Sequence, residues 1–373
     1  MSTTSSAPRR ATIAVVLATS LLLAACGGSS DAGSASDGAG DDGATTTTTT
    51  GAPEPVTAAP SGEVATAEPV PSAGCGTSEV RSVELQKEFL DDSDRWFLLT
   101  TPLDHDGDTP LPLVLDFHGL MEGADIHSRM SGMSPFAEEQ GFVLVTPHGT
   151  GTPIRWDPST DREANADLAY TDALLDQLEA SLCIDTSRVY ATGLSNGAFM
   201  SSALACAMSD RVAAVAPVAG IIHPDPCPTA RPVPILAFHG TEDPILLFNG
   251  GVGDRLGSVM AEGVGADPAD EPALPAADLE GDGYPANVRA WAEQNGCEPE
   301  PDDVQVTDTV LRRTYRCDVD AALEFVVIEG GGHTWPGSEF GLGLENIMGT
   351  TELGLDANAE IWAFFQRFAL PQT

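Results

Sequence analysis

The sequence predicts an α/β fold: a doubly wound, mostly parallel sheet in a single domain that carries a lid-like insertion. Short apolar runs without polar alternation recur along the chain, as in strands that are buried on both faces of a parallel sheet. Segments with helical periodicity lie between them, and such alternation over about 300 residues is typical of a doubly wound sheet. The 42% hydrophobic content suffices for a packed core.

Seven apolar runs are short and bounded by polar or turn residues, and we predict each as a strand. In chain order they are Arg95 to Thr100, Leu111 to Phe117, Phe142 to Thr146, Val189 to Thr192, Val212 to Val218, Pro234 to Phe238 and Glu324 to Ile328. Leucines at helical spacing predict an amphipathic helix over 168–182. A second helix follows Asp356 as its cap, with an apolar face of Ile361, Trp362, Phe364, Phe365 and Phe368.

Residues 1–25 have the pattern of a bacterial lipoprotein signal peptide. Arg9 and Arg10 precede an apolar run that is shorter than the ~20 residues of a membrane span and fits a signal-peptide core. The run ends in Leu-Ala-Ala-Cys at Cys26, which resembles a lipobox whose cysteine is lipidated; ordinary secretory cleavage is the alternative. Both predict an exported protein, either lipid-anchored at the cell surface or secreted.

Charge and composition divide the rest of the chain into 26–74 and 75–373. Residues after Cys26 are low in complexity and include six consecutive threonines, so we expect a lipidated, flexible tether. The domain at 75–373 carries 49 acidic against 15 basic residues. This charge excludes nucleic acid as a partner and excludes docking on anionic lipid, so we expect membrane contact through the lipid anchor only. The acidity has two alternative explanations: adaptation to high salt, or the base composition of the genome.

Six cysteines remain after Cys26, and an even number in an exported domain predicts three disulfides. Proximity in sequence favours Cys297 with Cys317 and Cys206 with Cys227, which leaves Cys75 with Cys183, although six cysteines allow fifteen pairings. Zinc is disfavoured because no CxxC pair or histidine cluster accompanies them. Two acidic stretches, 104–108 and 278–283, resemble calcium loops but lack the glutamate at position twelve. We expect no metal and no cofactor.

Gly193-Leu194-Ser195-Asn196-Gly197 matches the pattern G-x-S-x-G between a predicted strand and a small-residue stretch that is predicted as a helix. In such a turn the serine hydroxyl stands at the carboxyl edge of the sheet. Glycines flank the serine because the turn brings strand and helix too close for side chains. We therefore predict Ser195 as a nucleophile.

A serine hydroxyl needs a base to become a useful nucleophile. His333 lies in a glycine-rich loop directly after the strand at 324–328, which favours it over the other histidines. The third member should be a carboxylate after an intervening strand, in the chain order serine, acid, histidine. We choose Asp243, with Glu242 as the rival and Asp254 as a more distant possibility.

An oxyanion hole needs two backbone N–H groups. The first is expected from Asn196, which follows the candidate nucleophile. The second is expected from Leu120, after an early strand, with Gly119 as the alternative. Trp335 and Trp156 are candidates for substrate contact, and core packing is the alternative for both.

Four segments together resemble a family of secreted esterases: His118-Gly119, Gly193 to Gly197, His239 to Asp243, and Gly332 to Gly337 with its His-Thr-Trp-Pro-Gly sequence. The family comprises polyhydroxybutyrate depolymerases together with feruloyl and acetyl-xylan esterases, and the similarity spans about Cys75 to Phe368. The resemblance implies an α/β-hydrolase fold and a triad of Ser195, Asp243 and His333.

The resemblance further implies hydrolysis of carboxylic esters through an acyl-enzyme. We expect a polyhydroxybutyrate depolymerase-like esterase acting on soluble hydroxyalkanoate or related esters, so the partner is a polyester oligomer or an acylated saccharide. The alternative is a feruloyl or acetyl-xylan esterase acting on plant polysaccharide oligomers, and a remote one is a non-catalytic surface module. The acidic, glycine-rich segment from Gly250 to Pro285 departs from the family, as a lid or a surface insertion.

Overall fold

Ten β-strands form one sheet in the residues that the computed structural model describes, which are 67–77, 83–91, 93–255, 257, 273–318 and 321–371. The strands are β1 Val83–Phe89, β2 Trp96–Thr101, β3 Leu111–Phe117, β4 Val143–Pro147, β5 Ile184–Leu194, β6 Ala214–Val218, β7 Ile235–Gly240, β8 Asp302–Gln305, β9 Val310–Tyr315 and β10 Leu323–Ile328. The predicted signal peptide, Cys26 and the tether up to residue 66 lie outside this range.

The spatial order of the strands is β1-β2-β4-β3-β5-β6-β7-β10-β9-β8. The six strands from β4 to β10 in this order are parallel. β2 and β9, on either side of them, run antiparallel to them, and the edge strands β1 and β8 pair antiparallel with β2 and β9. Every residue of β4, β6, β7 and β10 is buried, because both faces of the central sheet are covered. The predicted mostly parallel sheet is confirmed.

Helices cover both faces of the sheet. They are α1 Gly123–Ser131, α2 Met133–Gln140, α3 Ala166–Ser181, α4 Asn196–Ala207, α5 Tyr284–Gln294, α6 Glu345–Met348 and α7 Ala357–Phe365, with a 3₁₀ turn at Glu339–Gly341. Apolar side chains of α3, α4 and α5 belong to one core cluster, and those of α1, α2 and α7 belong to the other. Apolar side chains of the six central parallel strands alternate between the two clusters, which is the arrangement of a doubly wound domain. No helix in the described part of the chain is long and apolar enough to cross a membrane.

Side-chain caps set the start of the two helices that the leucine and aromatic patterns predict. The Asn165 side chain accepts hydrogen bonds from the N–H groups of Asp167 and Leu168, so α3 begins two residues before the predicted start. Asp356 accepts from the Ala359 N–H and caps α7, as predicted. The edge strands β1 and β8, and β9 beside β8, escaped prediction; all four residues of β8 are exposed and carry no apolar alternation.

The three disulfides are Cys75–Cys183, Cys206–Cys227 and Cys297–Cys317. The last two are the pairs that sequence proximity favours, and the first is the pair that elimination leaves. The folded part, however, begins before Cys75. Residues 67–74, assigned to the tether from their composition, lie against the start of β5. The Ser72 N–H donates to the Ile184 carbonyl at 2.8 Å, and the Val70 N–H donates to Asp185 Oδ1 at 2.9 Å. Pairing of this kind leaves no trace in composition, so the boundary at residue 75 stays a prediction, and these contacts extend the described fold to the residues just before it.

The segment from Gly250 to Pro285 is closed at its base. Asn249 Nδ2 donates to the carbonyls of Asp278 and Asp282, at 2.7 and 3.1 Å, so the start and end of the segment meet at one side chain. Residues 258–272 lie outside the described residues. That the segment from Gly250 to Pro285 is a lid stays a prediction.

Candidate active site

Ser195 lies in the sharp turn between β5 and α4. Its φ is 57° and its ψ is −116°, a conformation that costs a non-glycine residue energy and is typical of functional turns. The adjacent residues must be glycines because there is no room for a side chain at either position. A Cβ atom at Gly193 would lie 2.4 Å from the Phe117 carbonyl oxygen, and one at Gly197 would lie 2.0 Å from the same atom. The turn therefore has the geometry that the G-x-S-x-G pattern predicts.

Asp243 and His333 come together after two neighbouring parallel strands, β7 and β10. Their side chains form a hydrogen bond of 2.7 Å between His333 Nδ1 and Asp243 Oδ2. The other carboxylate oxygen, Oδ1, accepts from the N–H groups of Ile245 and Leu246, both at 2.8 Å. An ionised carboxylate only accepts, so the imidazole carries its proton on Nδ1 and leaves Nε2 as an acceptor. The rivals Glu242 and Asp254 are both exposed.

The two groups shift each other's titration. Burial alone would lower the pKa of His333, but the negative charges of Asp243 and Glu122 outweigh it and leave that pKa above 6.5. Burial alone would raise the pKa of Asp243, but His333, His239 and the Leu246 N–H hold it below 3.8. The buried pair can therefore hold a proton on His333 while Asp243 stays ionised, which is what a general base requires.

His239 supports the carboxylate from the opposite side. Its Nε2 lies 3.0 Å from the Leu246 carbonyl and 3.4 Å from Asp243 Oδ2, and its ring stacks on Tyr284 at 3.9 Å. Burial lowers the pKa of His239, so the ring is neutral and donates from Nε2. His239 begins one of the segments that carry the family resemblance, but its contact with Asp243 depends on how the 243–246 turn folds.

Ser195, Asp243 and His333 all follow the carboxyl ends of parallel strands of one sheet, β5, β7 and β10. Because those strands point the same way, the three residues share one edge, where α/β folds place their ligand sites. Ser195 and His333 are 9% and 4% exposed. The site is therefore a recessed one, with little water around the imidazole.

The loop after β3 distinguishes the two candidate oxyanion donors. The Gly119 N–H donates to Glu122 Oε2 at 2.8 Å, and the Met121 N–H donates to the Ile154 carbonyl at 2.9 Å. Between them, the Leu120 N–H has no acceptor among the residues described. Asn196 is the first residue of α4, so its N–H has no partner within the helix. The geometry thus favours Leu120 over Gly119 as the second donor.

Trp156 and Trp335 are buried, 1% and 2% exposed, which favours the core-packing alternative for both. Their contact with substrate stays a prediction. Trp156 joins the two halves of the candidate oxyanion hole. Its backbone N–H donates to Asn196 Oδ1 at 2.7 Å, Asn196 Nδ2 donates to its carbonyl at 3.1 Å, and its Nε1 donates to the His118 carbonyl at 3.0 Å. Trp335 Nε1 donates to Asn358 Oδ1. Pattern alone could not distinguish a buried tryptophan from a groove-lining one.

Comparison with known proteins finds relatives that are named as esterases. Feruloyl esterase B of Piromyces equi is 25% identical over 284 residues, 74% of this chain and 46% of that protein. The putative esterase NocK of Nocardia uniformis subsp. tsuyamanensis is 30% identical over 61% of this chain and 67% of its own length. The probable feruloyl esterase C of Aspergillus terreus is 30% identical over 51% of this chain and 69% of its own length.

Two further comparisons complete these findings. No protein-family model matches the chain. The solved acetyl xylan esterase of Aspergillus awamori is 15% identical, with a TM-score of 0.47 over 67% of this chain and 94% of that one. The chain spans less than half the length of the Piromyces relative, but it covers two thirds or more of two relatives that are 30% identical. The chain therefore belongs to the α/β-hydrolase family of carboxylic ester hydrolases that includes the feruloyl esterases.

Proposed function

We propose that the protein is a serine esterase in which Ser195 is the nucleophile, His333 the general base and Asp243 the group that orients it. The observation that carries this proposal is the 2.7 Å bond from His333 Nδ1 to Asp243 Oδ2. It lies at the sheet edge where Ser195 occupies a strained turn. A buried carboxylate that only orients an imidazole is the arrangement of a serine hydrolase triad.

The reaction follows from these atoms. His333 Nε2 takes the proton of the Ser195 hydroxyl while Oγ attacks the ester carbonyl, and the N–H groups of Leu120 and Asn196 stabilise the oxyanion. The carbon–oxygen bond of the ester then breaks, and the leaving alcohol takes the proton from His333. A water molecule, deprotonated by the same imidazole, then attacks the acyl-enzyme. The bond between the acyl carbon and Ser195 Oγ breaks, Oγ takes the proton back from His333, and the acid is released. Asp243 stays ionised throughout and stabilises the imidazolium.

For the substrate, we rank feruloyl or acetyl esters of plant saccharide oligomers first, ahead of the hydroxyalkanoate esters expected from sequence. The relatives include several probable feruloyl esterases C and a bifunctional acetylxylan esterase/xylanase, which supports this order. The acidic surface repels polyanions, so among plant oligomers we expect the neutral acylated oligosaccharides to be preferred over those rich in uronic acids. Soluble hydroxybutyrate oligomers remain the second candidate.

Labelling with a fluorophosphonate tests the activity directly, because the probe reacts only with an activated serine. Wild-type protein should label with one equivalent, and Ser195→Ala should not. Hydrolysis by Ser195→Ala should fall by up to ~10⁶ in kcat, while the control Ser181→Ala, on α3, should match wild type. A Ser195→Ala variant with near-normal turnover would end the proposal. A panel of feruloyl, acetyl and hydroxybutyrate oligomer esters at matched concentration then ranks the substrates.

We also propose that the domain works outside the cytoplasm, held by a lipid on Cys26 and the low-complexity segment that follows it. The three disulfides support an oxidising compartment, and the composition of the first 66 residues supports the anchor. Mass spectrometry of the exported protein should find a diacylglyceryl group on Cys26. A mature protein that begins elsewhere and is released into the medium would contradict the anchor but not the esterase.

A further inference from the structure

We propose that Glu122 is a positioning residue of this esterase. Its carboxylate holds residues 118–122 after β3, which we call the oxyanion loop, so that Leu120 presents its N–H. Its charge also stabilises the imidazolium of His333. The inference rests on the proposed function. Glu122 lies directly before α1, and its side chain is 16% exposed. It does not belong to the predicted triad or to the predicted oxyanion pair.

The Glu122 carboxylate contacts the backbone of the oxyanion loop. Glu122 Oε2 accepts from the Gly119 N–H at 2.8 Å. The approach is close: a Cβ atom at Gly119 would lie 3.0 Å from the Glu122 carboxylate. The next residue but one, Met121, has a φ of 72°, which costs a residue with a side chain energy. The Gly119 bond and the bond from Met121 to Ile154 flank Leu120 and hold this strained turn in place.

A buried histidine in turn holds the Glu122 side chain. His127 on α1 is fully buried, and its Nδ1 lies 3.5 Å from Glu122 Oε2, an ion-pair contact longer than a hydrogen bond. On its other side, His127 Nε2 lies 2.6 Å from Asp116 Oδ1, and the Ser131 hydroxyl donates to Asp116 Oδ2 at 2.8 Å. The carboxylates of Asp116 and Glu122 therefore face one imidazole, and Asp116, the more buried of the two, also accepts from the Ser131 hydroxyl.

The charges in this cluster are determined by their surroundings. Burial would lower the pKa of His127, but Asp116 and Glu122 raise it to about 10, so the ring is a cation at neutral pH. Burial would raise the pKa of Glu122, but His127 and the Gly119 N–H lower it, so the carboxylate is ionised. The neighbouring His118 has a pKa lowered to about 4 by burial and is neutral.

Glu122 also acts on the base. Three charged or titratable groups act on His333: Asp243, which bonds to it at 2.7 Å, His239, and Glu122, whose negative charge contributes to the raised pKa of His333. His239 is neutral, so two negative charges favour the imidazolium that forms when His333 takes the serine proton. A negative charge at this place opposes the oxyanion itself, but the cation at His127 faces Glu122 and offsets part of that effect.

Two substitutions separate the hydrogen bond from the charge. Glu122→Gln keeps an oxygen that accepts from the Gly119 N–H but removes the charge; Glu122→Ala removes both. The exposed Glu139 on α2 provides matched controls, Glu139→Gln and Glu139→Ala. For each protein we would measure kcat, KM and the fluorophosphonate labelling rate from pH 5 to 9, together with the melting temperature.

We expect Glu122→Ala to lose about 10- to 100-fold in kcat with little change in KM, the size of effect that a misplaced oxyanion donor produces. Glu122→Gln should keep most of the plateau kcat. In both variants the midpoint of the acid limb should move to lower pH, because His333 loses a stabilising charge. The Glu139 variants should show neither effect.

The outcomes distinguish the two levels of inference. Wild-type protein that does not label refutes the proposed function and the role of Glu122 with it. Wild-type protein that labels, beside a Glu122→Ala variant of equal kcat, refutes the positioning role alone. An acid limb that stays in place in Glu122→Gln refutes the electrostatic part. Equal losses in Glu122→Ala and Glu122→Gln, in step with their melting temperatures, would show a purely structural residue and overturn the inference.

Discussion

Replacing Asp243 by asparagine should inactivate the enzyme without unfolding it, and the hydrogen bonds explain both results. Asp243 Oδ1 accepts from the N–H groups of Ile245 and Leu246. In Asp243→Asn the amide oxygen must take this place, because an NH₂ group cannot accept two donors. The NH₂ group is then turned toward His333, where the carboxylate oxygen accepts the proton of Nδ1.

Two donors cannot share that contact, so the imidazole must accept at Nδ1 and carry its proton on Nε2. The ring then presents a proton to Ser195 instead of a lone pair, and it cannot act as a base. A wrong tautomer of this kind costs up to ~10⁴ in kcat. The turn at 243–246 keeps both of its backbone hydrogen bonds, so we expect cooperative unfolding to persist.

The assay is steady-state hydrolysis of a soluble chromogenic ester, with fluorophosphonate labelling as an independent reading of serine reactivity. The matched control is Glu242→Gln, which changes the neighbouring, exposed acid in the same way and should leave both readings unchanged. If Glu242→Gln is the more damaging substitution, the acid has been assigned wrongly. If Asp243→Asn turns over within about tenfold of wild type, the tautomer argument is refuted.

Three further predictions follow from charge and covalent structure. The rate should fall as pH decreases through a midpoint above 6.5, since neighbouring carboxylates raise the pKa of His333 and only its neutral form is a base; a rate that is flat from pH 5 to 8 would exclude a histidine base. Replacing Cys75 and Cys183 by serine, which opens a 108-residue loop, should lower the free energy of unfolding by about 4–5 kcal/mol, against ~3 kcal/mol for the 20-residue separation of Cys297 and Cys317. Equal losses for the two pairs in denaturant titrations would contradict the chain-entropy account. The melting temperature should rise from low salt to about 1 M, where the Debye length is ~3 Å, because the domain carries 49 acidic against 15 basic residues; a fall would favour base composition as the cause.

Local features of the sequence determined the central architecture and the turn that carries Ser195. The buried parallel strands were predictable because each is a continuous apolar run, and the β3 prediction matches Leu111–Phe117 at both ends. The turn at Ser195 was predictable because glycines must stand where a Cβ would collide with the Phe117 carbonyl. Two of the disulfide pairs, Cys206–Cys227 and Cys297–Cys317, followed from proximity in sequence. In each case the information lies within a short stretch of chain or in a residue type with one strong constraint.

Only the tertiary structure decided the features that depend on contacts between distant segments. The choice of Leu120 over Gly119 depends on a carboxylate three residues away that folds back, and on a carbonyl at Ile154. The function of Trp156 depends on Asn196, forty residues along the chain. Glu122 was indistinguishable in sequence from any other acid at the start of a helix, because the buried imidazole that faces it comes from α1 and is anchored in turn by β3. Hydrogen bonds and ion pairs of this kind follow from where the packed helices and strands bring side chains together, and residue type by itself does not specify that.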